Sequence, residues 1–287
     1  MGEALSLQNQ VCLVTGATAG LGKAVAVQLA QRGATVVIVA RTQAAGDAAV
    51  AEIKTQTSRA TVSALSGDLS SLAAVRRLAA QFREGHDRLH VLINNAAVFK
   101  QQRTVTGEGL ELMFATNHLA PFLLTNLLLD RLQASAPSTV ITVSAPSTSK
   151  LNFDDLQGAR RFSALNAFGA SKAANLLFTF ALARRLGGVG VTANAYHPGI
   201  VRTRLMREAP APMRLLLSLF SFMAQPPEKA AAGLAWLAET RGAGVSGQLF
   251  HGQKPITTSA YTHDETVQER LWAESVRLTG ASGESFG

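Results

Sequence analysis

The chain has 287 residues, 47% of them hydrophobic and 16% charged; this balance suits one large soluble domain with a well-buried core and excludes a fibrous or disordered chain. Its formal net charge is +8, yet the basic residues are scattered, with no dense tract and no DNA-reading motif. No nucleic-acid partner is therefore expected, and the charge suits an acidic ligand such as a phosphorylated cofactor.

The first strand-like run is Val11–Val14, and it contains the single cysteine, Cys12, which excludes an internal disulfide and reads as a core residue. With no leader-like start and no apolar run of bilayer length, a cytoplasmic protein without a transmembrane segment is expected. A helix follows over Leu21–Arg32, then the strand Thr35–Ala40, a helix to about Thr55, the strand Val62–Leu65 and a helix over Ala73–Phe82. Next come Leu89–Ile93, a long helix around Glu108–Leu132, Thr139–Val143, a helix over Leu165–Leu186 and Val191–Ala195. The segment Arg207–Gln225 breaks the alternation; another helix starts near Glu228, and a late strand falls near Gln248–His251.

Strand and helix in alternation predict parallel strands joined by helical crossovers, that is, a single-domain α/β doubly wound parallel sheet with helices on both faces. The domain is expected over residues 1–280, with a flexible tail at 281–287. Leu215, Leu216, Leu219, Phe220 and Met223 give the irregular segment a lipophilic face. That face fits a substrate lid around 204–226, core packing, a dimer contact or weak contact with a membrane surface.

Ligand is expected at the carboxyl ends of the strands. There the first strand runs into Thr15-Gly16-Ala17-Thr18-Ala19-Gly20-Leu21-Gly22. Such a turn brings backbone N–H groups and a helix N-terminus against a pyrophosphate, which makes Gly16, Thr18, Gly20, Leu21 and Gly22 candidate cofactor contacts. The second strand ends at Arg41, where an NAD-preferring site would offer a carboxylate to the ribose. A guanidinium pairs instead with a 2′-phosphate, so NADP(H) is expected over NAD(H). Asp68 with Leu69 after the third strand, and Asn95 with Ala96 after the fourth, complete the outline of one ligand.

These residues resemble the short-chain dehydrogenase/reductase family, whose doubly wound sheet is the Rossmann fold, over nearly the whole chain. The Gly-rich turn, Asp68-Leu69, Asn94-Asn95-Ala96-Ala97, Asn117, the helix of Lys172, and His197-Pro198-Gly199 followed by Thr203 occur in family order. FDDLQG, SKAANLLFTFALARRL and YHPGIVRT are most similar to the retinol-dehydrogenase-like branch. The resemblance implies hydride transfer between NADP(H) and a lipophilic small molecule, a homodimer or homotetramer, and cofactor contacts at Pro198, Gly199 and Thr203.

It also implies four catalytic positions. Asn117 and Lys172 match, but the family serine falls on Ala145 and the family tyrosine on Phe168. Ser144 precedes Ala145 and should face the other side of the strand end. Hydride transfer to a carbonyl builds charge on oxygen, and a missing proton donor costs roughly 10²–10⁴ in rate. Lys172, four residues after Phe168 on one helix face, keeps the task of holding the nicotinamide ribose. Ser147, Thr148, Ser171, Tyr196 and His197 are the nearby candidates for a substitute donor. Two expectations follow: an oxidoreductase with an atypical active site, or an impaired NADPH-binding protein that acts as a sensor or partner subunit.

Overall fold

A computed structural model describes residues 7–57, 61–201 and 224–281. Six parallel strand pairings and one antiparallel pairing build an eight-stranded sheet in the order β3-β2-β1-β4-β5-β6-β7-β8. The strands are β1 (Val11–Thr15), β2 (Thr35–Ala40), β3 (Val62–Ser66), β4 (Val91–Asn94), β5 (Ser138–Val143), β6 (Val191–His197), β7 (Leu249–His251) and β8 (Lys254–Ile256). The order reverses between β1 and β4, which opens a crevice at their carboxyl ends, the place where sheets of this type take ligand.

Period-two alternation divides the strand side chains between two cores. Cys12, Val14, Val36, Ile38, Val91 and Ile93 pack with α1 (Gly20–Gln31), α2 (Gln43–Thr55) and α8 (Pro227–Glu239). Leu13, Val37, Leu92 and Val140 face α3 (Leu72–Gly85), α5 (Ala120–Leu127), α7 (Ala164–Arg185) and α10 (Glu265–Thr279). Helices on both faces explain why the strands read as nearly continuous apolar runs.

Three features differ from the sequence expectation. The long helix expected from Glu108 begins only at α4 (Leu112–Phe114), because the Glu111 carboxylate caps it by accepting from the Met113 and Phe114 N–H groups at 3.0 and 2.7 Å. It then widens into a π-helical turn at Ala115–Leu119 before α5 and α6 (Leu129–Gln133). The antiparallel edge strand β8 and the two helices α9 (Ala260–His263) and α10 were not foreseen.

Helix α10 packs along α7. The run Ser171–Leu182 of α7 is buried within the chain itself. Trp272 of α10 packs edge-on against Phe122 at 4.9 Å and stacks near Phe178 at 6.0 Å, while the Ser275 hydroxyl meets His118 Nε2 at 2.9 Å. Helix α10 thus packs against α5 and α7 within the chain, through Phe122 and Phe178. Ala281, the first residue of the expected tail, still packs into the core. Most of the expected lid, 204–223, and Thr203 lie outside the described residues. The chain on either side of that segment meets, since Val201 bridges to Gln225 in parallel.

Candidate active site

The crevice between β1 and β4 is held shut at its base by Thr15. Its hydroxyl accepts the N–H groups of Asn95 and Ala96 at 2.9 and 3.0 Å, tying the two strand ends together. Asn95 Nδ2 donates to the carbonyls of Thr15 and Gly16 at 2.8 and 3.1 Å, so its role is to brace the turn. Gly16 adopts a φ of 65° and sits so near Ala96 that a Cβ would come within 2.8 Å of the Ala96 Cα. A Cβ on Gly22 would meet the Gly16 carbonyl at 2.4 Å.

The same turn leaves an anion cradle. Helix α1 starts after Ala19 with no side-chain cap and no acid in its first turn, so its leading N–H groups and positive end face the crevice uncovered. Thr18 and Gly20 sit at this mouth, and Leu21 is buried beneath it.

Arg41 is exposed immediately after β2 and makes no ion pair among the described residues. Asp68 is also exposed; its Oδ1 accepts the Ser70 N–H at 2.9 Å in an Asx-turn. Leu69 is half-buried against the core. At the end of β6, Pro198 accepts from Gln225 Nε2 at 2.5 Å through its carbonyl, and Gly199 turns the chain with a φ of 70°.

The other half of the site gathers around the start of α7. Asn117, within the π-helical turn, is fully buried: its Nδ2 donates to the Val98 carbonyl at 3.0 Å and to Ser171 Oγ at 3.1 Å, while its Oδ1 accepts the Val98 N–H at 2.8 Å. It is a staple between the loop after β4 and α7. Its partner Val98 carried no sequence signal, because the bond uses backbone atoms only.

Lys172 is buried, with Nζ 3.4 Å from the Val143 carbonyl and 5.4 Å from the centroid of the Phe168 ring. With no acidic partner among the described residues, burial pulls its ammonium down to about 8. Phe168 in turn meets the edge of Phe99 at 5.6 Å, in an apolar cluster that includes Met113, Val98 and Phe162. Phe99 was overlooked in the sequence because nothing in its spacing links it to α7.

The substitute hydroxyls are committed elsewhere. Ser171 donates to the Phe168 carbonyl at 2.7 Å, Ser144 to the Lys172 carbonyl at 2.9 Å, and Ser147 to the Gly169 carbonyl at 2.9 Å. Tyr196 points to the opposite face of the sheet, where its hydroxyl donates to the Ala230 carbonyl at 2.8 Å and burial pushes its pKa up to about 12. It is removed as a candidate acid. His197, half-buried with its ring 5.3 Å from that of His251, is held below its usual pKa mainly by burial. Thr148 is exposed and Ala145 half-buried on the loop after β5.

Residues 10–214 match the short chain dehydrogenase family. The chain belongs to that family. Among its relatives, human retinol dehydrogenase 13 is 40% identical over 98% of this chain and 87% of its own length. Mouse retinol dehydrogenase 12 is 39% identical over 98% of this chain and 89% of its own. A solved structure of an uncharacterised protein from Mycobacterium paratuberculosis superimposes over both full lengths with a TM-score of 0.76 at 31% identity. The Pseudomonas aeruginosa RhlG complex with NADP covers 88% of this chain and 97% of its own, with a TM-score of 0.71 at 29% identity.

These relatives place the short-chain dehydrogenase described here in the retinol-dehydrogenase-like branch and make it an oxidoreductase by family. They also correct the cytoplasmic expectation. Retinol, for which the relatives are named, is a lipid alcohol that resides in membranes rather than in water. Among the described residues no helix is long and apolar enough to cross a membrane.

Proposed function

We propose that this short-chain dehydrogenase is an NADP(H)-dependent oxidoreductase for a lipophilic small molecule, working from a site that lacks the serine and tyrosine proton donors. The observation that carries the reading is the uncapped start of α1 behind Gly16 and Gly22, where side chains are excluded and backbone N–H groups remain for a pyrophosphate. Arg41 supports the 2′-phosphate, since a guanidinium with no carboxylate partner among the described residues is suited to bidentate phosphate binding. The NADP complex of RhlG agrees with this choice over NAD(H). When bound, the nicotinamide supplies the hydride.

The chain's own residues bind and orient. Lys172 is assigned to the ribose hydroxyls by its place four residues after Phe168, and the rings of Phe168 and Phe99 offer a lipophilic wall. Neither Phe168 nor Ala145 can stabilise or protonate an oxyanion, so the site suits a substrate on which no oxyanion develops, such as a protonated imine, which becomes a neutral amine on accepting hydride. The test is transfer from 4-deuterated NADPH to lipophilic imines, enones, ketones and aldehydes. Deuterium in an imine or enone product supports the reading; its absence from every product overturns it.

A second reading is favoured by one observation. Ser144, Ser147 and Ser171 all donate to backbone carbonyls, which leaves them bound to structure rather than to substrate. On this reading the protein holds NADPH without turnover, as a sensor or partner subunit, and tight NADPH binding with no hydride transfer is the expected result.

A further inference from the structure

Lys172 is set apart from every other lysine of the chain. The sequence holds seven, all among the described residues, and Lys172 alone is buried. Its Nζ has no carboxylate partner among those residues; its neighbours are the Val143 carbonyl and the face of Phe168. The phenol that the family pattern places at position 168 would accept a hydrogen bond from this ammonium and keep it charged, whereas a phenyl ring does neither. Lys172 keeps 7% of its surface exposed, beside the half-buried Phe168 and the apolar wall that ring forms with Phe99.

We infer that Lys172 captures lipophilic aldehydes as a Schiff base on the cofactor-free protein. The inference rests on the proposed function in taking a lipophilic ligand and in assigning the cofactor's ribose to Lys172. The amine nitrogen adds to the aldehyde carbon to give a carbinolamine, the nitrogen loses a proton, and the former carbonyl oxygen leaves as water. One C=N bond replaces the C=O bond, with no change of oxidation state. An amine in an apolar pocket is a better nucleophile for this than a solvated ammonium. Burial leaves roughly a tenth of Lys172 neutral at pH 7, against well under a thousandth of an ordinary lysine. The apolar surroundings also disfavour the water that reverses the reaction. Because the same amine is the group positioned for the ribose, aldehyde capture and cofactor binding exclude one another.

The test uses the full chain at pH 7 with retinaldehyde and decanal as separate probes, sodium borohydride to fix any imine, and peptide mass mapping. One adduct is expected per chain, on Lys172, at roughly ten times or more the yield on any exposed lysine. Saturating NADP⁺ should suppress it, and Phe168→Tyr should lower it by restoring the phenol beside the amine. Lys172→Met should abolish it; if that variant fails to fold, the wild-type peptide map decides alone. Adducts spread over the exposed lysines, or none on Lys172, would overturn the inference. An adduct without hydride transfer to any substrate removes the proposed function and leaves this inference standing; hydride transfer with no adduct does the reverse.

Discussion

The two ends of this active-site crevice are built to different standards. Around β1 and α1 the geometry is so tight that single methyl groups are excluded, and hydrogen bonds from Thr15 and Asn95 brace the turn from behind. Around α7 the fold is equally intact, with Asn117 stapling loop to helix and Phe168 packed on Phe99, and Phe168 and Ala145 stand where the resemblance to the family implies a tyrosine and a serine. Phenylalanine and alanine keep the shape of those residues without their oxygens, so packing alone does not tell the pairs apart.

The comparison is broken most directly by restoring the oxygens. Phe168→Tyr combined with Ala145→Ser should raise the rate of lipophilic ketone reduction by roughly 10²–10⁴, measured as NADPH consumption at saturating cofactor. Neither change alone should reach that figure, because the two groups act on one developing charge. An unchanged rate with bound cofactor would show that the α7 end has lost more than two hydroxyls.

On the other side, Gly22→Ala drives a methyl into the Gly16 carbonyl and Asn95 Nδ2. Overpacking of this kind costs about 1–3 kcal/mol, and the displaced turn should weaken NADPH binding by at least tenfold in a fluorescence titration. Arg41→Ala sharpens the cofactor choice. Losing one charge-assisted pair is worth about 1.5–3 kcal/mol, so NADPH affinity should fall roughly 10- to 100-fold while NADH affinity stays within about twofold. Equal losses for the two cofactors would place Arg41 away from the 2′-phosphate.

A further effect concerns the π-helical turn that holds Asn117. His118 is buried among Phe114, Phe122 and Phe178, and burial lowers its pKa from 6.5 to about 4. The folded protein therefore holds it neutral while the unfolded chain takes up a proton below 6.5. Its contribution is present above that pH and is lost as the pH falls from 6.5 towards 4, by up to about 3 kcal/mol. Urea midpoints at pH 7 and pH 5 should differ less in His118→Gln than in the wild type; an identical difference would place the acid sensitivity elsewhere.

Much of this was legible in the residues. The alternation of apolar runs and helical patterns located β1 to β7 and most helices to within a few residues, because strands buried on both faces are continuous and short. The π-helical turn was not legible, since five residues at Ala115–Leu119 are too few to separate its period from an ordinary helix. Helix α10 was missed for a different reason. Its polar residues masked an apolar stripe at Val267, Leu271 and Trp272, although Asp264 at its start and Gly280 at its end were cap signals in plain view. At the site, Phe168 and Ala145 stood out against the family pattern, but Phe99 reaches Phe168 through tertiary packing and Val98 meets the Asn117 side chain through its backbone, which no spacing announces.

The central claim is that the cofactor end is complete without the two hydroxyls. It is tested most directly by titrating NADPH into the wild-type chain and into Phe168→Tyr/Ala145→Ser side by side. The account predicts saturable binding with dissociation constants within about threefold of each other, a difference under about 1 kcal/mol. A wild-type chain that binds no NADPH, or binds it only once the hydroxyls return, would contradict it.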